Sequence, residues 1–139
     1  MSDQTRKNKV VTAAVLVIGD EILSGRTKDK NIGYIAEYLT AIGVDLKEVR
    51  VVPDEEDEIV DALNALRARF DYVFTTGGIG PTHDDITAES VAKAFDLPID
   101  YHPDALAAMQ ARIPDAKLNE ARRRMARVPR GATLVTNKV

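Results

Sequence analysis

The sequence predicts an α/β fold, a three-layer α/β/α sandwich built on a mainly parallel sheet. Three observations predict it: a continuously apolar, valine-rich first strand, an alternation of strand-like and helix-like segments behind it, and a glycine cluster directly after the third strand. The first strand is VVTAAVLVIG (Val10–Gly19), apolar throughout and bounded by Gly, as a strand buried on both faces must be. Asn31 stands where a helix N-cap belongs, and Ile32, Ile35, Ala36, Leu39 and Ile42 follow at helical spacing until Gly43. Val44–Val52 is of mixed polarity, as an outer strand would be, and Pro53 stops it. Acidic residues Asp54–Asp57 suit the first turn of a second helix, whose buried stripe is Ile59, Val60, Leu63, Leu66 and Phe70. A third strand, Tyr72–Thr76, runs into Gly77-Gly78-Ile79-Gly80-Pro81. Thr87 is then expected to cap a helix carrying Val91, Ala94 and Phe95, closed by Leu97-Pro98. Residues 102–128 read as two short helices broken near Pro114, and Ala132–Val135 as a further strand.

Right-handed crossovers and two-way winding place the first strand between the second and third. The carboxyl ends of all three then meet at one edge: Gly19-Asp20-Glu21, Pro53-Asp54 and the glycine loop. Ligands of open α/β sheets bind at that edge.

A chain of 139 residues suffices for one domain, and the expected division is a disordered leader over 1–10 and a domain over 11–139. With no cysteine there is no disulfide framework, thiolate nucleophile or cysteine-bound metal, and two histidines cannot build a histidine-rich centre. Oxygen ligands and phosphate chemistry remain. The longest apolar run is too short to cross a bilayer, and the polar N-terminus has no apolar segment behind it, so a cytoplasmic address is the expectation. The net charge of −3 conceals an asymmetry: residues 112–139 carry 8 basic and 2 acidic side chains, the remainder 11 and 20. A uniformly basic nucleic-acid binder is therefore disfavoured.

The most specific stretch is TTGGIGPTHDDIT, Thr75–Thr87. Its glycines let backbone N–H groups approach an anion without a Cβ in the way, the following helix start adds more, and Pro81 stiffens the loop. Asp84 and Asp85 place carboxylates beside that anion site, which implies a hard cation, Mg²⁺, between carboxylate and phosphate. Neither a Walker A loop nor a dinucleotide fingerprint is present. GDEILSG, Gly19–Gly25, opens a long connection at the same edge, where Asp20 or Glu21 suits a metal-bound water or a ribose hydroxyl. In VVPDEEDE, Val51–Glu58, residues Glu55 to Glu58 suit the helix dipole, whereas Asp54 lies close to where the glycine loop emerges. His83 is either a phosphate donor or an exposed loop residue, and His102 a helix-start residue.

GDEILSG, Asn31, VVPDE and TTGGIGPTHDDIT, in this order and spacing, resemble the molybdopterin-binding domain shared by MoaB/Mog proteins, gephyrin and the N-terminal half of competence/damage-inducible CinA proteins. The resemblance covers about Val11 to Pro129, and NEARRRMARVP (Asn119–Pro129) with THDDIT looks closer to the CinA type. It implies a MoaB/Mog-like α/β/α fold, Mg²⁺ dependence, and a small-molecule pterin or nucleotide ligand carrying phosphate or pyrophosphate. Mog-type members adenylylate molybdopterin, while CinA-type domains are associated with hydrolysis of the pyrophosphate in ADP-ribose-like nucleotides. Carried over by motif, the catalytic carboxylates fall on Asp54 and Asp85, with Asp84 beside Asp85 as a second candidate metal ligand. The phosphate loop falls on Gly77, Gly78, Gly80, Pro81 and Thr82, with Gly19, Asp20 and Glu21 across from it.

Family members continue beyond the point corresponding to Asn137-Lys138-Val139, so a C-terminally truncated domain is expected, and the CinA amidohydrolase activity is not transferred. Dimers or trimers are the oligomers the resemblance implies. The expected function is an enzyme-type domain, a Mg²⁺-dependent nucleotidyltransferase or ADP-ribose-type pyrophosphatase, with a non-catalytic pterin- or nucleotide-binding module as the alternative. A nucleic-acid role for Arg122, Arg123, Arg124, Arg127 and Arg130 ranks below both, because no interleaved aromatics accompany them. Their bland reading is one face of an amphipathic helix, with Met125 and Val128 inward, used for docking or an oligomer contact.

Overall fold

The computed structural model describes residues 9–136. Three strands, β1 (Val11–Ile18), β2 (Val44–Val52) and β3 (Tyr72–Thr76), form a parallel sheet with β1 in the middle, as the winding argument requires. The pairing of β1 with β2 skips Lys47: Ala13 lies opposite Leu46 and Ala14 opposite Glu48. This bulge brings Ile18 level with Val52, while Val17 lies level with Thr76, so the three strands end together.

The helices are α1 (Asp20–Leu23), α2 (Asn31–Ala41), α3 (Glu56–Arg69), α4 (Thr87–Ala94), α5 (Pro103–Arg112) and α6 (Glu120–Arg123). On one face of the sheet Ala14, Leu16 and Ile18 pack into a core with Ile59, Ala62, Leu63 and Leu66 of α3 and Ala94 of α4. Alternation sends Ala13, Val15 and Val17 to the opposite face, and these too are buried. There α2 runs along β2 and contributes Leu39 to the interior. Each fully buried Leu, Ile or Val stabilises the fold by about 1.5–3 kcal/mol relative to exposure. The doubly buried β1 is thus the strand on which both helical layers depend, and the predicted α/β/α architecture is the observed one.

Strand β3 forms an edge of this sheet among the described residues. Tyr72 and Phe74, on the Ala13 and Val15 face, stack with ring centroids 6.4 Å apart and remain partly exposed. A separate antiparallel pair, β4 (Ile99–Tyr101) with β5 (Arg127–Pro129), ties the C-terminal arm to the end of α4. Among the described residues no helix is long and apolar enough to cross a membrane.

Several local expectations are corrected. Asn31 does not cap α2; the Asp29 carboxylate accepts from the Ile32 N–H at 2.7 Å, two positions earlier than expected. The Gly19–Lys30 connection contains the single-turn helix α1, and the β4–β5 pair was not read from the sequence. Ala132–Val135 is not a strand: no described strand lies beside it to complete a ladder, and Val135 is 93% exposed. Met125, expected inward, is exposed, and Ala126 is buried in its place. His102 does start a helix, its Nδ1 accepting from the Asp104 N–H at 3.2 Å ahead of Pro103. Most of the expected leader, and residues 137–139, lie outside the described residues.

Candidate functional site

At the carboxyl edge the first two strands are laced together by their own acids. The Gly19 N–H donates to the Val52 carbonyl at 3.0 Å. One residue on, the Asp20 N–H donates to Asp54 Oδ2 at 3.0 Å, and the Asp54 N–H returns a bond to Asp20 Oδ1 at 3.1 Å. Each carboxylate thus satisfies an N–H that emerges beyond the last rung of the sheet. The Glu21 carboxylate folds back over Gly19, where a Cβ would come within 2.7 Å of Oε1.

The third strand delivers the glycine loop. Gly77 has φ +89°, and a Cβ on it would lie 1.9 Å from the Ile18 carbonyl oxygen, so only glycine lets this turn pass against the end of β1. Gly78 has φ +66° and is equally tight against Thr87, at 2.2 Å from Oγ1. Thr87 was expected to cap α4. Instead it is the first helical residue, and its buried hydroxyl donates to the Gly77 carbonyl at 2.8 Å while its N–H donates to the Gly78 carbonyl at 3.1 Å. The helix end therefore holds the loop and has no side-chain cap of its own.

Asp85 closes the far side of the loop. Its Oδ2 accepts from the Thr82 N–H at 2.9 Å and from Thr82 Oγ1 at 2.8 Å, and a Cβ on Gly80 would meet the same oxygen at 2.7 Å. Thr82, a candidate phosphate contact, thus spends its hydroxyl on Asp85. Pro81 is exposed, and Asp84 projects into solvent with His83, whose Nε2 lies 3.3 Å from Asp84 Oδ1.

The two carboxylates on which the resemblance places catalysis are pushed in opposite directions. Burial raises the Asp54 pKa above the ordinary aspartate value; the Asp20 N–H opposes this, but the negative charges of Asp20, Glu21 and Asp85 reinforce it. Burial also pulls Asp85 upward, but the Thr82 hydroxyl, the Thr82 and Gly80 N–H groups and the charge of Arg124 outweigh it, so its pKa is lowered. Asp54 is thereby suited to exchanging a proton and Asp85 to remaining an anion.

Sequence reasoning missed Glu89, in the first turn of α4, as the anchor of the arginine run. Arg124 Nη2 lies 3.2 Å from Glu89 Oε1, Arg127 makes a closer contact with the same oxygen, and Arg130 pairs with Asp100. The only signal was the spacing of the basic run, which says nothing about a partner some 35 residues away.

Among the described residues no group of three or more acids and histidines is arranged to hold a metal by itself. Mg²⁺, however, is commonly bound by one or two carboxylates together with substrate phosphates. An anionic Asp85 closing the glycine loop, with Asp20, Glu21 and Asp54 adding negative charge, fits that mode.

Residues 14–135 match the family model for a probable molybdopterin-binding domain. A CinA-like protein of Citrifermentans bemidjiense is 41% identical over 126 residues, covering 89% of this chain and 30% of that protein. A Caldivirga maquilingensis protein is 40% identical over 91% of this chain and 50% of its own length. The chain thus spans about half or less of these curated relatives. Among solved structures, the CinA protein of Thermoplasma acidophilum superposes with a TM-score of 0.87 at 35% identity, covering 94% of this chain and 77% of that one. The tungsten cofactor synthesizing protein MoaB of Pyrococcus furiosus superposes with a TM-score of 0.59 at 29% identity, over 78% and 68%. With the family model spanning most of its length and the CinA and MoaB folds matching its own, the chain belongs to the molybdopterin-binding domain family.

Proposed function

We propose that the domain binds a small pterin or nucleotide through a phosphate or pyrophosphate on the glycine loop and cleaves or transfers at that pyrophosphate. The observation that carries this reading is the geometry of the sheet edge, where a turn that only glycine can form is closed by Asp85 and the adjoining strand ends are joined by the mutual clasp of Asp20 and Asp54. Gly77 and Gly78 bring main-chain N–H groups to the phosphate oxygens, Gly80, whose own N–H is held by Asp85, keeps the loop free of a side chain there, and Gly19, Asp20 and Glu21 border the ligand on the opposite side. Asp85, helped by Asp84 from the loop tip, is the residue that would hold Mg²⁺. When bound, Mg²⁺ neutralises phosphate charge that the acids would otherwise repel.

Asp54 accepts the proton of the attacking hydroxyl, a role its raised pKa fits. Its clasp with Asp20 fixes the carboxylate relative to the loop. Water attacking one phosphorus of ADP-ribose gives its proton to Asp54 and breaks the bridging P–O bond, so that AMP and ribose 5-phosphate leave, in the manner of an ADP-ribose-type pyrophosphatase; the oxyanion of a pterin phosphate attacking the α-phosphorus of ATP needs no base and displaces pyrophosphate, which gives nucleotidyl transfer.

The test is release of AMP from ADP-ribose, and adenylylation of molybdopterin by ATP, each with Mg²⁺, by the wild type and by Asp85→Asn. Turnover of one substrate that falls about a hundredfold or more in the variant is expected. Equal turnover in both proteins removes Asp85 from the mechanism, and tight binding with no turnover of either substrate leaves a binding module.

A further inference from the structure

The arginine-rich segment after α5 is brought back by the fold onto α4, the helix that follows the glycine loop. Its anchor there, Glu89, lies in the first turn of that helix, whose first residue, Thr87, holds Gly77 through its hydroxyl, so the segment is fixed at the end of α4 from which the loop departs. Two guanidinium groups, those of Arg124 and Arg127, converge on the one oxygen Oε1 of Glu89. One carboxylate cannot neutralise two cations, which leaves a net positive charge beside a site otherwise lined with acids.

The two arginines are not equivalent. Arg127 is the more enclosed, at 23% side-chain exposure, and its Nε is buried without a partner, so it serves to hold Glu89. Arg124 touches Glu89 through Nη2 alone, is 28% exposed, and has further N–H donors on its rigid fork.

We infer that Arg124 is a phosphate-binding residue: held by Glu89 beside the glycine loop, its guanidinium receives the second phosphate of a pyrophosphate ligand. This rests on the ligand class proposed above. The loop N–H groups suffice for one phosphate. Arg124 supplies the bidentate donor for the next one, and so makes the site selective for diphosphate over monophosphate ligands. Arg127 and Glu89 position it.

Calorimetric titration of ADP-ribose, as its non-hydrolysable α,β-methylene analogue so that turnover adds no heat, and of AMP, with Mg²⁺, into the wild type, Arg124→Gln and Arg124→Lys tests this, with urea unfolding as the check on folding. The wild type is expected to bind ADP-ribose more tightly than AMP. Arg124→Gln is expected to weaken ADP-ribose about tenfold or more and AMP by less than about threefold, the size of a lost charge-assisted hydrogen bond. Arg124→Lys is expected to recover part of the ADP-ribose affinity. If Arg124→Gln does not fold, the ADP-ribose to AMP preference of Arg124→Lys decides, and a preference equal to the wild type's overturns the inference. Equal weakening of both ligands in Arg124→Gln shows a merely structural arginine and also overturns it. A wild type that binds neither ligand overturns the reading of the site together with this inference, whereas one that binds both while Arg124→Gln keeps full ADP-ribose affinity overturns the inference alone.

Discussion

Asp20 and Asp54 each accept a hydrogen bond from the other's main-chain N–H, at 3.1 and 3.0 Å, across the ends of two parallel strands. The pair locks together two loops that no regular ladder joins, and it fixes the direction of the carboxylate given the proton-transfer role. Asp54→Asn keeps an acceptor for the Asp20 N–H but cannot take up a proton. It is expected to fold with a urea midpoint at neutral pH no lower than the wild type's while AMP release from ADP-ribose falls about 10²–10⁴-fold. Asp54→Ala removes the acceptor as well and is expected to lose about 1 kcal/mol in the same unfolding experiment.

The opposed pKa shifts give opposed pH dependences. Asp85, whose folded pKa is lowered, contributes stability that is present above the ordinary aspartate value of about 3.9 and disappears as pH falls through its lower folded value. Asp54, whose folded pKa is raised, favours folding below the ordinary value and loses that contribution as pH rises through its folded value. Urea midpoints between roughly pH 3 and pH 6 are therefore expected to fall more steeply on acidification for the wild type than for Asp85→Asn, and less steeply than for Asp54→Asn. Parallel curves for all three proteins refute both shifts.

Two glycines make a matched pair. Gly77→Ala forces a side chain into a left-handed conformation 1.9 Å from the Ile18 carbonyl, and a loss of about 2 kcal/mol or more is expected. Gly33 lies inside α2 with nothing within 4 Å of an added Cβ, so Gly33→Ala is expected to stabilise by about 0.5–1 kcal/mol. Chemical denaturation of the two variants distinguishes a glycine required by geometry from one that merely weakens a helix.

Thr87 serves the loop rather than the helix end. Thr87→Ser retains the hydroxyl that donates to Gly77 and is expected to bind nucleotide as the wild type does. Thr87→Val keeps the shape, leaves the Gly77 carbonyl without that donor, and is expected to lose about 1–2 kcal/mol of stability together with weaker ADP-ribose binding by calorimetry.

Strand order was legible because β1 is apolar on every residue from Ala13 to Ile18, which only a central strand covered on both faces can satisfy. The meeting of Asp54 and the glycine loop with Asp85 at one sheet edge was legible for a related reason, since topology brings the strand ends together, while the roles given to the two carboxylates came from the family resemblance. Their tuning was not legible, because it depends on which N–H each carboxylate accepts. Thr87 shows the limit at close range, since a threonine at a helix start reads as a cap whether its hydroxyl turns to the helix or to a loop ten residues earlier. Arg124 shows it at long range, since only the antiparallel β4–β5 pair carries that segment back to Glu89, and strands of three residues leave little pattern to read.

Among the described residues the strand that launches the glycine loop has the shortest ladder of the sheet, pairing with β1 alone over five positions. Gly77 is therefore suspended between a five-residue ladder to β1 and the Thr87 hydroxyl, while Asp20 and Asp54 emerge from strands paired along eight positions. The two halves of the site differ in stiffness accordingly. Solvent exchange of the β3 amides should outpace that of β1, and the half of the edge built on the glycine loop should yield before the half built on the Asp20–Asp54 clasp.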